Sequence, residues 1–276
     1  MISNNVIMYE RCIKRIGELM MIKVTAENYS IIKETIERAP TFVYSILDQV
    51  IEGTVYADNE SLHSLLFRTK SGIYYVYGDS SSEPIVNKLR SLLQESIEQS
   101  KRFTLFSYSD DWNTKIEQRL DGLVKKLERY TFSFAINAYN EREMRELLDY
   151  EFIKIKQHQI EHCLEFNNQY YKEYWGSTNN FLENGFGFCL EDGDKIISEA
   201  VSIFKSDQFA EIDIVTDPNY RGQGLASFIA EKFIDYCLLN DIQPCWDCDI
   251  HNQASYHLGI KLGFTIPQKY AVYTKS

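Results

Sequence analysis

The stretch AEIDIVTDPNYRGQGLASFIAEKF, residues 210–233, decides how the rest of the chain is read. Its first five residues alternate apolar and polar side chains, the period-two pattern of a strand with one face in a core. Asp217 and Pro218 end that strand, and Gly222 and Gly224 punctuate the loop behind it. From Leu225 to Asn240 the apolar residues follow helical spacing. Within the loop, Arg221, Gly224 and Ala226 form the pattern R-x-x-G-x-A. Small residues there let successive backbone N–H groups approach an anion, and the helix N-terminus adds partial positive charge. The pattern therefore reads as a pyrophosphate cradle, with a ligand-free turn as the alternative. A P-loop would carry Lys-Ser/Thr after its last Gly, where Leu225 and Ala226 stand. A dinucleotide fingerprint would open a βαβ unit, whereas three strands precede this loop.

Outward from that segment, the second half reads as acidic helices over Glu141–Tyr150 and Gln157–Asn167, then an aromatic run from Tyr170 to Asn184. Strands Phe186–Leu190 and Ile196–Phe204 flank the turn EDGDK. After the helix of residues 225–240 come a strand (Pro244–Asp249), a helix (Gln253–Leu262) and a last strand (Tyr270–Thr274). The first half shows helices at Tyr29–Arg38 and Thr41–Gln49, strands at Gly53–Tyr56, Ser64–Arg68 and Gly72–Tyr77, and an amphipathic helix at Pro84–Gln99. Strand Phe103–Tyr108, helix Trp112–Leu120 and strand Tyr130–Ile136 complete it. Both halves thus run β-β-β-loop-α-β-α-β, which implies a degenerate internal duplication over residues 1–137 and 138–276. Two unrelated α/β domains are the alternative.

Charge divides along the same line. Of the net −11, residues 1–137 carry −1 and residues 138–276 carry −10. Such acidity argues against nucleic acid as a partner and would attract a cationic small molecule. No apolar run approaches the ~18 residues of a membrane span, and the first ten residues lack signal-peptide regions. A cytoplasmic protein is expected, with its six scattered Cys as reduced thiols. Cys245-x-x-Cys248 has no second pair, and His158 and His162 lack the Glu of a zincin, so no metal is expected.

The strand, Pro218, the R-G-x-G-L-A loop and its helix resemble the main CoA-binding motif of the GNAT superfamily of N-acyltransferases. Asn252, Ser255, Leu258, Lys261 and Gly263-Phe264 resemble its second motif, N-x-x-A/S-x-x-L-Y-x-K-x-G-F. More narrowly, FLENGFGFCLEDG, EIDIVTDPNYRGQGLA and PCWDCDIHNQASYHLGIKLGF are similar to the zwittermicin A resistance type of GNAT acetyltransferase. The resemblance implies an α/β chain (an α+β mixed sheet), with a GNAT fold in the C-terminal half and a degenerate GNAT-like domain before it.

It implies acetyl-CoA as co-substrate. Backbone groups of Ile214, Val215 and Thr216 would pair with the pantetheine arm. Arg221, Gly222, Gln223, Gly224, Leu225, Ala226 and Ser227 would hold the pyrophosphate, and Asn252 and Ser255 would lie beside the cofactor. The two strands of the motif would splay, opening a slot where a backbone N–H polarises the thioester carbonyl. An amine is protonated at neutral pH, so a base must first take a proton. Glu211 and Asp213, on one face of their strand, and Asp247 on the other strand are the candidates for that base; each could instead anchor substrate or sit solvated. The family's Tyr, which protonates the leaving thiolate, falls on Gly259, and Tyr256 lies about a helical turn away.

The function implied is acetyl transfer from acetyl-CoA to an amine of a small molecule, such as an aminated antibiotic or metabolite. Transfer to a protein amine, or a weakly active CoA-binding or regulatory module, is the alternative, and a homodimer is compatible with either. The aromatic run with Glu173 and Glu183 would serve as a wall for the amine or as core. The first half's GDSSSE turn, residues 78–83, stands where the phosphate loop would be. Its acids would repel a pyrophosphate, so no CoA is expected there.

Overall fold

A computed structural model describes residues 9–10, 21–142 and 150–276. The helix expected over Glu141–Tyr150 therefore lies mostly outside the described residues. The chain forms two compact units, one of residues 1–128 and 269–276, the other of residues 129–268.

In the first unit the ladder runs β1 (Tyr9–Glu10), β2 (Ile22–Val24), β3 (Gly53–Ala57), β4 (Ser64–Thr69), β5 (Ile73–Gly78), β6 (Thr104–Ser107). All neighbours are antiparallel except β5 and β6, which are parallel. Helices α1 (Tyr29–Thr35) and α2 (Thr41–Leu47) precede β3. The parallel crossover is α3 (Glu83–Glu98), whose buried Ile85, Leu89, Leu92 and Leu93 meet Leu66, Tyr74 and Val76 of the sheet. Helix α4 (Asp110–Arg119) starts where the Ser109 hydroxyl accepts from the Trp112 amide. At its N-terminus α3 carries Glu83, which Lys115 and Arg119 of α4 hold at 2.7 Å each. A carboxylate thus stands in the first turn of α3.

The second unit begins inside a long strand, β7 (Val124–Phe134), followed by the short helix α5 (Ile136–Asn140). Its main sheet is the order β12-β11-β10-β9-β8, from Gln243–Cys245, Phe209–Thr216, Lys195–Lys205, Gly187–Asp192 and Glu151–Lys154. Only β11 and β12 are parallel, so this sheet too is mixed. Helix α9 (Leu225–Leu239) covers one face: Leu225, Ile229, Phe233 and Ile234 pack with Ile197, Ala200, Ala210 and Ile212. Full burial of each large apolar side chain there is worth about 1.5–3 kcal/mol, which fixes the helix start against the sheet.

The opposite face lies under the segment from α6 (Gln157–Glu161) through α7 (Asn168–Trp175) and α8 (Thr178–Asn184). The helix expected over Gln157–Asn167 stops at Glu161. Two side chains interrupt it: Glu199 of β10 accepts from the amides of Glu165 and Phe166 at 2.8 and 3.2 Å, and the Asn167 carboxamide caps α7.

Two expectations differ from the observed chain path. The compact units divide at 128/129, inside β7, which runs unbroken from Val124 to Phe134. The last strand, β14 (Phe264–Lys275), is shared too: its Ala271–Thr274 end pairs with β6 in the first unit. In the second unit, Arg129–Thr131 of β7 pairs with β13 (Asp247–Asp249). Residues 129–134 of β7 thus belong to the second unit and residues 269–275 of β14 to the first. The strand read over Pro244–Asp249 is also two strands. Residues 243–245 pair with β11, residues 247–249 pair with β7, and Trp246 stands between them. Among the described residues no helix is long and apolar enough to cross a membrane.

Candidate active site

The site grows from the divergence of β11 and β12. Their parallel pairing covers Phe209–Glu211 against Gln243–Cys245 and goes no further. Beyond Glu211, β11 continues through Asp213, Ile214, Val215 and Thr216, held on its other edge by β10, while the chain after Trp246 turns to β7. The two strands therefore splay as expected. Glu211 stands at the fork, Asp213 on one arm and Asp247, opposite Thr131, on the other.

Alternation sends Ala210 and Ile212 toward α9 and Glu211 and Asp213 to the opposite face. There the Asp213 carboxylate accepts from the Tyr170 hydroxyl of α7 at 2.9 Å and from the Ile214 amide at 3.0 Å. Burial pushes its pKa above the ordinary aspartate range, with both hydrogen bonds opposing. Glu199 lies on the same face, opposite Val215, and burial likewise raises its pKa against the amides of residues 164–166. Of the aromatic run, Tyr171, Trp175 and Phe181 are core. Tyr170 and Tyr174 are half-buried, and the Tyr174 ring meets Phe204 of β10 edge-on at 5.6 Å.

The loop between β11 and α9 is tied at its base. Asp217 accepts from the Asn219 amide at 2.8 Å and from the Lys195 ammonium at 2.7 Å, and Arg221 Nε donates to the Thr216 carbonyl at 3.3 Å. Lys195 holds the Asp217 carboxyl below its usual range, so this tie persists into acid. Gly222 and Gly224 have φ of +79° and +86°, a region closed to most side chains. A Cβ on Gly222 would meet no atom within 4 Å: the loop is open where a ligand would approach. Gly224 is the N-cap of α9 and provides no side-chain cap. The helix thus begins at Leu225, Ala226 and Ser227 with the amides that an anion could use. Lys261 adds a cation by donating to the Ser227 hydroxyl at 3.0 Å, and Gln223 accepts from Tyr150 at 2.9 Å. Conformation, open approach and charge all fit a pyrophosphate.

Asn252 and Ser255 open α10 (Gln253–Lys261). The Asn252 side chain accepts from the Ser255 amide at 3.1 Å, a capping role. His251 and His257 are exposed, and His257 Nδ1 lies 2.7 Å from the Gln253 carbonyl. Tyr256 packs its ring between Tyr130 and Phe132. Gly259 has a physical explanation absent from the sequence reading: a Cβ there would sit 2.9 Å from Nε1 of the buried Trp246. The indole that marks the splay occupies the room a tyrosine would need. Gly259→Tyr is accordingly expected to lower stability by about 1–3 kcal/mol, as overpacking does, without raising turnover. Denaturant unfolding and steady-state rates together check this.

Glu199 went unmarked in the sequence reading, although a single acid in the apolar run IISEAVSIF was a usable signal. Removing its carboxylate leaves two amides without their acceptor. Glu199→Ala is expected to cost about 1–3 kcal/mol, while Glu199→Gln keeps an acceptor and loses a buried charge. Because the folded pKa is raised, the carboxyl favours folding most in acid and loses that contribution as pH rises through the folded value. The Gln variant should therefore match the parent in acid and equal or exceed it at neutral pH, in melts across that range.

Comparison with known proteins gives this arrangement its family. The GNAT acetyltransferase family model matches residues 31–273, and the chain belongs to that family. It is 39% identical over 254 residues to "Uncharacterized N-acetyltransferase YdfB" of Bacillus subtilis (strain 168), covering 91% of this chain and 97% of that protein. A GCN5-related N-acetyltransferase-like protein from Streptococcus suis shares the fold with a TM-score of 0.69 at 23% identity, over 91% of this chain and 99% of that one. A tandem GNAT protein from the clavulanic acid biosynthesis pathway does so at 0.58 and 10% identity, over 94% and 98%. The protein is a GNAT-type N-acetyltransferase.

Proposed function

We propose that the enzyme transfers an acetyl group from acetyl-CoA to an amine of a small molecule by direct attack. The observation that carries this is a splayed strand pair with a half-buried, hydrogen-bonded aspartate on one arm and an uncapped glycine-led helix start at its end. In this reading the amides around Gly222–Ser227 hold the pyrophosphate, and the edge of Ile214–Thr216 pairs with the pantetheine arm. Acetyl-CoA supplies the acyl group. Asp213 receives the proton of the attacking ammonium, directly or through water, and Tyr170 holds that carboxylate in place. Its hydrogen bond from Tyr170 and its raised pKa recommend Asp213, since a carboxylate with a raised pKa is the stronger base. Asn252 and Ser255 shape the cofactor's far wall as the start of α10.

The acidity of the second half suits a cationic acceptor. The resemblance to the zwittermicin A resistance type makes aminated antibiotics and amino metabolites the acceptors to try first. We further propose that the first repeat is a worn GNAT unit without a CoA site, in keeping with Glu83 at its helix start. Thiol release from acetyl-CoA, measured over a panel of small amines and of peptides, tests the assignment. Turnover with a small amine is expected. Measurable CoA binding with peptide turnover alone would overturn it.

A further inference from the structure

Glu199 is an acid at a place where the core would accept an apolar side chain. It is 1% exposed on β10, and Ala200 and Val201 beside it are fully buried. Burying a carboxyl costs free energy unless hydrogen bonds offset it. What Glu199 holds is the chain before α7, through the amides of Glu165 and Phe166. From there two contacts lead to Tyr170. The buried Phe166 ring lies against the Tyr170 ring, with centroids 4.7 Å apart. Asn167, the next residue, accepts from the amide of Tyr170 itself at 3.2 Å and from that of Gln169 at 2.9 Å. Tyr170 in turn donates to Asp213.

The two ends of this path meet on one sheet face. β10 and β11 pair with Glu199 opposite Val215 and Val201 opposite Asp213, so the two acids are diagonal neighbours across the ladder. The rest of α7 is anchored elsewhere. Tyr171 and Trp175 are buried, and the Trp175 indole donates to the Ser202 carbonyl at 3.0 Å. Those anchors place the helix but leave its first turn, which holds Tyr170, dependent on its own cap. Helix ends fray where their free amides lack partners.

We propose that Glu199 is a positioning residue: by gripping residues 165 and 166 it seats the first turn of α7, and with it the Tyr170 hydroxyl, against Asp213. Its bearing on catalysis rests on Asp213 being the base; the grip itself does not. Tyr170 and Tyr171 of α7, Glu165 before it and Arg129 of β7 all act on Asp213, with Glu211 on its own strand. A loosened first turn weakens the hydrogen bond from Tyr170 and leaves the other groups' charges in place.

The test is the titration of the Asp213 carboxyl in the full-length enzyme, followed by carbon NMR and assigned through Asp213→Asn, beside the pH profile of kcat. Glu199→Ala and Glu199→Gln both remove the charge, but only Gln keeps an acceptor for the two amides, so their difference reads the grip. The Ala variant should titrate about 0.5–1 in pH above the Gln variant, the size of one hydrogen bond. Glu199→Ala/Tyr170→Phe should titrate no higher than Tyr170→Phe. Asn167 is exposed and repeats the test should Glu199→Ala fail to fold. Asn167→Ala should raise the midpoint, and Asn167→Ser, another good cap, should restore it. Equal midpoints for the Ala and Gln variants, an unmoved midpoint in Asn167→Ala, or a further rise in the double variant would each overturn the assignment. A midpoint that moves while the kcat profile stays put would uphold the grip and remove Asp213 as the base.

Discussion

Gly224→Glu is expected to remove acetyl-CoA binding from a protein that still folds. Two effects combine at this position. With φ at +86°, any side chain is strained, at a cost of about 1–2 kcal/mol, which a chain of this size can absorb. The second effect is specific to the ligand. A carboxylate placed at the N-cap of α9 would turn toward the helix's own amides, as capping acids do. It would then compete for the donors that a pyrophosphate needs and repel the phosphates by charge. Gly224→Ala separates the two, since it carries the strain without the charge. The alanine variant should lose a modest part of its stability and retain binding. The glutamate variant should lose affinity by at least about a hundredfold, roughly 2.7 kcal/mol, with a melting temperature close to that of the alanine variant. Equal affinities for the two variants would refute the loop as the phosphate site.

The parts of this site that were legible in the sequence are those whose chemistry is local. The strand–loop–helix of residues 210–240 announced itself because glycine, capping and alternation act over a few residues. The splay was expected from the family resemblance, yet its device, Trp246 between β12 and β13, was not visible in PCWDC, because sheet exchange is a matter of distant partners. For the same reason the closing strands were assigned to their own repeats. Residues 129–131 and 271–274 read equally well as strands whichever edge they join. Gly259 is the instructive case. The sequence showed a missing tyrosine, which read as a loss of catalytic equipment. The fold shows a buried indole against that position, so the glycine follows from packing, and what protonates the thiolate is a separate question. In the proposed transfer the CoA thiolate is a stable leaving group, so loss of the acid need not abolish turnover.

Asp213→Asn carries the other large expected effect. In the proposed role of taking the amine's proton, Asp213 must be ionised, and burial raises its pKa from the ordinary aspartate value. Activity should therefore fall as pH drops through that raised value, giving an ascending limb above the range of a solvated aspartate. Asparagine has similar shape and can still accept from Tyr170 and Ile214, but it cannot take a proton. Loss of a general base costs about 10²–10⁴ in rate, so kcat should fall by that order while the affinity for acetyl-CoA holds, and the ascending limb should vanish. Tyr170→Phe provides the intermediate case. The Tyr170 hydroxyl stabilises the ionised carboxylate, so its removal should move the limb to higher pH rather than abolish it. Stability should move the opposite way to rate. A carboxyl whose folded pKa is raised supports folding fully only in acid, and that support is lost as pH rises through the folded value. At neutral pH the asparagine variant should therefore melt at or above the parent, the pattern of a site that gives up stability for function. If it instead keeps the parent's kcat and pH limb, the base is not Asp213, and the same profile measured on Glu211→Gln and Asp247→Asn identifies which arm of the splay holds it.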